Sequence, residues 1–355
     1  MYLTPDKLKT YTNTIHLTHT WARSNVSKLM QEKDLQAHYK APYFWASVGD
    51  MEMAGVYRRL IAERFLRDDG DFRTAQDVKG FLSFPCTTVN QYIYPNGWIT
   101  TGMIKMGAYD IAKKALEFIL RFQDTKHGGF YYAFDPKTLK IDKSLMDSSS
   151  TSSAGIALLA CGRIAEARRG GDFILRLLEL QPQFDKYYFS CMKGDGTLHT
   201  DVMRNENQWD ADSRKQKCLS AEHDGHNELT WLIGKPTKFL TRLYTATGEP
   251  KYLEGAKKCF FFFDRLDKNA WTNYASCKTM WAGAELYRIT GEKVFAETAT
   301  RLLDFYCKTQ SPKGCWVHTL WYKDESEQSF PWTADITYEY GGEFSDVVYD
   351  LCSRD

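Results

Sequence analysis

Seven consecutive residues, Glu222-His223-Asp224-Gly225-His226-Asn227-Glu228, carry two histidines and three carboxylates directly ahead of the apolar run LTWLIGKPTKFL. Histidine is the side chain whose ordinary pKa lies nearest neutrality, so imidazoles and carboxylates at this density supply a base with an acid beside it. Proton transfer is the chemistry this suggests, with His226 or His223 moving the proton and Glu228 orienting it. Two other readings stand beside it. The stretch is also a polar N-cap, in which Asp224 or Asn227 closes the start of the next helix, or a metal site, since imidazole and carboxylate are good ligands. The spacing matches no HExxH or Cys/His ligand signature, so neither a metal nor a cofactor is expected.

Asp147 is the second candidate, in LMDSSSTSSAGIALL, where a run of hydroxyls precedes an apolar helix. As an acid it would have to face a cavity; otherwise it is a helix cap. His199, in GDGTLHTD, is a third. Aromatics make up 15% of the chain and many fall in turns, and Trp98, Tyr131, Trp231 and Trp281 are the faces expected to stack on a substrate. The sequence contains no G-x-S-x-G, no G-x-x-x-x-G-K-[ST] and no G-x-G-x-x-G opening a helix after a strand, so nucleophile-elbow, phosphate-loop and dinucleotide chemistry lack support.

The scaffold that must position these residues is written as a repeat. Residues 240–263, LTRLYTATGEPKYLEGAKKCFFFF, and 283–306, GAELYRITGEKVFAETATRLLDFY, are one helical hairpin written twice, 43 residues apart. Each copy ends a helix at a Thr-Gly pair, where glycine takes the left-handed conformation that closes a helix, and starts another at once. Weaker copies run over 99–122, 152–179 and 51–82, and the helical region 5–38 with the C-terminal GGEFSDVVYDLCSRD supplies a sixth. A hairpin of this size cannot bury its apolar face alone, so stacking is required. The reading is an all-α (α/α)6 toroid of six hairpins forming a single domain over 1–355. Two stretches interrupt it: 123–150 predicts a short inserted β-hairpin, and the long polar segment 185–228 predicts an ordered loop over the cavity.

With 46 basic and 45 acidic residues the net charge is +1, and no basic stripe is present, so nucleic acid is not an expected partner. No apolar run is long enough for a membrane span and the N-terminus has no leader-like segment, so a cytoplasmic protein that takes a small-molecule substrate is expected. The nine cysteines are scattered without a C-x-x-C pair and read as buried, reduced thiols.

The layout resembles the six-hairpin, sugar-active toroids. HGGFYYAFDPKTLK (127–140) and GHNELTWL (225–232) are similar to motifs of the N-acylglucosamine and cellobiose 2-epimerases, whose motif histidine is a catalytic acid/base. KGDGTLHTD followed by ELTWLIGKPTKFLTRLYTATGEPKYL is similar in order to the unsaturated glucuronyl hydrolases, with Asp147 near a catalytic aspartate there. Key catalytic positions of both families are unmatched: Gly225 stands at the epimerase histidine position, and Ile233 stands where the hydrolase arginine would be. The resemblance implies an acid/base enzyme acting on a sugar or sugar-like substrate, an isomerase or epimerase in preference to a hydrolase. The alternatives are a cyclase, isomerase or lyase acting on an apolar terpenoid or polyketide of specialised metabolism, and a non-catalytic binding scaffold.

Overall fold

The computed structural model describes residues 2–76, 79, 91–135, 137–201, 217–221, 229–318, 322 and 324–354. Of these, 63% are helical, as an all-α chain requires, and the few strands form no closed sheet. The α-helices are α1 (Pro5–Ser24), α2 (Val26–Leu29), α3 (Ala41–Ser47), α4 (Met51–Arg64), α5 (Tyr94–Lys105), α6 (Tyr109–Leu120), α7 (Ser148–Ala160), α8 (Ile164–Glu179), α9 (Trp231–Thr247), α10 (Pro250–Phe262), α11 (Cys277–Thr290), α12 (Lys293–Thr309) and α13 (Phe330–Cys352).

The repeat appears where the sequence places it. Gly248 (φ 70°) lies between α9 and α10, and Gly291 (φ 78°) between α11 and α12. The upstream copies use the same device, with Gly107 (φ 78°) between α5 and α6 and Gly162 (φ 72°) between α7 and α8. A residue with a β-carbon resists this left-handed backbone, so the glycine fixes where each helix stops. Of the stretch 51–82, residues 77, 78 and 80–82 lie outside the described residues; the described part holds one helix, α4, which packs on α3 upstream, with Gly49 (φ 76°) in the turn. A cap sets its start: the Asp50 carboxylate accepts from Met53 N at 3.2 Å, so the helix begins at Met51.

The chain divides into two compact units, one of Met1–Thr88, Pro95–Ile119 and Gly283–Asp355, the other of Val89–Tyr94 and Leu120–Ala282. In the first, α1 and α3 pack on α13, and Tyr2 N donates to Leu351 O at 3.3 Å. Its core is aromatic: Phe44, Trp45, Tyr57 and Tyr338 are buried together, and the Tyr57 and Tyr338 hydroxyls meet at 2.9 Å.

In the second unit α7 and α9 bury most of their length, whereas α8 buries a single stripe, as an amphipathic outer helix does. The expected β-hairpin is present. Strands β1 (Phe130–Asp135) and β2 (Lys140–Asp147) pair antiparallel, with Phe130 opposite Asp147. The segment 185–228 is less loop-like than its composition predicts. It holds β3 (Tyr187–Phe189) paired with β5 (Cys218–Ser220), and β4 (Cys191–Lys193) paired with β2. Residues 202–216 and 222–228 lie outside the described residues. Pairing across the chain, which local periodicity cannot show, ordered the remainder.

The eight described cysteines are free thiols, and Cys191, Cys218, Cys259, Cys277 and Cys315 are buried. Burial pushes the Cys191 and Cys259 thiols up to about 12 and those of Cys307 and Cys315 up to about 11. A thiol held this far from its thiolate is a poor nucleophile. Alkylation at neutral pH is therefore expected to label these four only on unfolding, and reductant to leave the melting temperature unchanged; rapid labelling of the native protein would contradict this.

Candidate functional site

The second unit gathers the buried polar groups around the start of α7. Strand β2 ends at Asp147, held between Phe130 and Cys191 on the neighbouring strands, and the chain turns directly into the helix. Ser148 N donates to Ser190 O at 2.8 Å, which fixes the turn. The Asp147 carboxylate caps α7: Oδ2 accepts from Ser149 N at 2.8 Å and Ser150 N at 3.0 Å. So the cap reading of this residue is correct, but a cap is ordinarily a surface feature and this one is fully buried. Its second oxygen, Oδ1, has no hydrogen-bond partner among the described residues. Burial pushes the Asp147 carboxyl above its ordinary value, against the opposing pull of the Ser150 contacts and of Lys235. The result is a carboxyl whose pKa burial raises, with Oδ1 unpartnered among the described residues and the Lys235 charge within electrostatic reach.

The cation comes from α9. Trp231, Lys235, Lys238 and Arg242 recur at intervals of four, three and four, which puts them on one face of the helix. The Lys235 ammonium lies 3.9 Å from the centre of the Tyr94 ring and 5.6 Å from that of Trp231. Lys238 sits 3.1 Å over the Trp281 ring, which also faces Arg242 at 5.1 Å and Lys278 at 5.4 Å. The ring quadrupole attracts each of these cations, more strongly where water is excluded. The buried hydroxyls of Ser149 and Ser152 on α7 have no hydrogen-bond partner among the described residues.

The other sequence candidates fall in different places. Glu222 to Glu228, and with them His223, His226 and Glu228, lie outside the described residues. Tyr131 donates its hydroxyl to Asp124 Oδ1 at 2.5 Å, and Asp124 also accepts from Lys126 N and His127 N, so this tyrosine fastens a turn. His199 is mostly buried near Asp201, at 3.6 Å, and burial with Lys217 holds its pKa below the usual value. Trp98 belongs to the first unit, edge-on to Tyr43 at 5.2 Å.

That unit has a polar cluster of its own, unnoticed in the sequence. Asp335, Glu339 and Glu343 recur every fourth residue on α13 and all three are buried. Lys40 meets Asp335 Oδ1 at 2.5 Å and also bonds Glu339 Oε2, while Gln36 Nε2 donates to Asp335 Oδ2 at 3.3 Å. His318 is fully buried nearby, and desolvation pushes its pKa down to about 3, so it is neutral. The spacing DITYEYGGE was the available signal: three carboxylates on one helical face next to a buried lysine need a partner or a role. The corresponding signal on α9 was KPTK inside a run that otherwise reads as apolar.

No family model matches the chain, and no curated protein matches it in sequence. Solved structures do. A D-mannose isomerase aligns with a TM-score of 0.63 over 88% of this chain and 86% of its own, at 13% identity. A family 76 α-mannanase from Bacteroides thetaiotaomicron gives 0.62 over 94% and 96%, at 12% identity. A cellobiose 2-epimerase from Bacillus thermoamylovorans gives 0.59 over 89% of each, at 12% identity. The chain has the α/α-toroid fold. At such identity the toroid is what is shared, and its chemistry has to be argued from the residues present.

Proposed function

We propose that this toroid is a cofactor-independent enzyme that isomerises or epimerises a sugar or sugar-like substrate by acid/base catalysis, within a single domain spanning 1–355. The observation that carries the reading is Asp147: a buried carboxyl with a raised pKa, an oxygen without a partner among the described residues, and the charge of Lys235 acting on it. In the proposed reaction an imidazole of His226 or His223, oriented by Glu228, removes the proton from the carbon next to the substrate carbonyl. Asp147 gives its proton to the carbonyl oxygen, which yields an enediol, and Lys235 stabilises the carboxylate left behind. Return of a proton to the same or the neighbouring carbon gives the epimer or the isomer, and Asp147 regains its own.

The surroundings suit a polyhydroxylated substrate. Trp231 and Trp281 offer ring faces, and the lysines of α9 have donors to share, while the buried hydroxyls of Ser149 and Ser152, without a partner among the described residues, would gain nothing from an apolar terpenoid or polyketide. Among structures with this fold, the D-mannose isomerase and the cellobiose 2-epimerase are named for such reactions. The test is solvent exchange: with a panel of aldoses and ketoses in deuterated water, the proton signal at C2 of one sugar is expected to disappear with the enzyme and to persist with His226→Ala. Folded protein that exchanges no sugar of the panel would overturn the proposal.

A further inference from the structure

We infer that the substrate carries an anionic oxygen group, carboxylate or phosphate, and that Lys235, Lys238 and Lys278 hold it; this rests on the sugar-enzyme reading above. The three lysines are buried side chains of one compact unit. Two of them, with Arg242, lie on a single face of α9, and the third is brought to that face by a close helix contact. Gly234 makes the contact possible: a β-carbon there would lie 2.6 Å from Lys278 Cβ and 2.7 Å from Thr279 N. No real β-carbon tolerates such distances, so the glycine allows the start of α11 to press on α9 beside Lys238.

The consequence is that Lys238, Lys278 and Arg242 all converge on the Trp281 ring, with Lys235 one turn away beside Trp231 and Tyr94. Cations are costly to bury, and here each also faces an aromatic ring that attracts it. A structure that needed only packing would put apolar side chains on this face. Each ammonium has three donors and the guanidinium five, so every one of these groups can hold a partner within the protein and still share an oxyanion. The aromatic faces alongside fit the ring of the same molecule. An acidic sugar satisfies both: its ring on Trp231 and Trp281, its charged group among the lysines, and its carbonyl end toward Asp147.

Calorimetric titration of the full chain with four probes tests this: a neutral hexose, its uronate, its 6-phosphate and inorganic phosphate. One charged sugar is expected to bind at least about tenfold tighter than the neutral hexose, and Lys238→Met and Lys278→Met each to remove about 10- to 100-fold of that affinity, the scale of a hydrogen bond to a charged group. Preference between uronate and phosphate then tells carboxylate from phosphate. Neutral and charged sugars binding equally well would overturn the inference and leave the sugar reading standing. Inorganic phosphate binding without any sugar would sustain the anion site and sink the sugar reading, and no binding of any probe would sink both. If the methionine variants fail to fold, the wild-type ranking of neutral against charged probes still decides.

Discussion

Asp147→Asn is expected to lower turnover by about 10²- to 10⁴-fold, the usual contribution of a general acid or base, while the protein stays folded. Asparagine is as good an N-cap as aspartate, so the contacts from Ser149 N and Ser150 N survive the exchange. What is lost is the transferable proton. The pH dependence gives an independent readout. Because the folded-state pKa is raised above 3.8, the native state holds the proton more tightly than the unfolded chain. The stability linked to this group is present below the unfolded value and is lost as pH rises through the folded one. Asp147→Asn removes that loss, so the variant should melt at or above the wild-type temperature at neutral pH. Asp147→Ala, which removes the cap as well, should lose about 1 kcal/mol. Asn and Ala variants of equal, full activity would show that Asp147 is a cap alone.

Lys40→Met is expected to destabilise the protein by about 3–5 kcal/mol, the cost of leaving a buried charge without its partner. That is a large share of the about 5–15 kcal/mol by which a domain is folded. Asp335 and Glu339 would remain desolvated on α13 without the Lys40 ammonium that bridges them. Burial already holds the Asp335 carboxyl above its ordinary pKa, opposed by Lys40 and reinforced by Glu339, so losing the lysine drives it further up. Acid should therefore rescue the variant: protonating the two carboxyls removes the repulsion, and the deficit in denaturant midpoint should shrink as pH falls. Adding Asp335→Asn and Glu339→Gln to Lys40→Met should recover most of the loss at neutral pH. A deficit independent of pH would mean that the lysine stem, and not its charge, is what matters.

The helices were legible because their stop signals are local. Thr247-Gly248 and Thr290-Gly291 specify left-handed glycines by chemistry that needs no distant partner, and the structure places them so. The inserted strands β1 and β2 were legible for the same reason, through the turn that joins them. The short α3 ahead of α4 went unread because a seven-residue helix and a cap at Asp50 carry little periodicity of their own. The site was less readable. The type of Asp147 was visible but its burial was not, since LMDSSS reads like any surface cap. Lys235, Lys238 and Lys278 escaped notice because two sit in an apolar run and the third lies forty residues past Lys238, brought close through the contact at Gly234.

The division of the chain into units has a consequence for synthesis on the ribosome. The unit that begins with α1 needs Gly283–Asp355 to be complete, whereas the unit of Val89–Tyr94 and Leu120–Ala282 is finished once Ala282 has been made. Chains tend to fold as their units become available. The later-starting unit thus consolidates first, while α1, α3 and α4 wait with their aromatic faces, Trp21, Phe44, Trp45 and Tyr57, uncovered until Tyr338 and the rest of α13 emerge. Nascent chains stalled after Ala282 would carry that apolar surface in the open, the state in which a holding chaperone has most to grip.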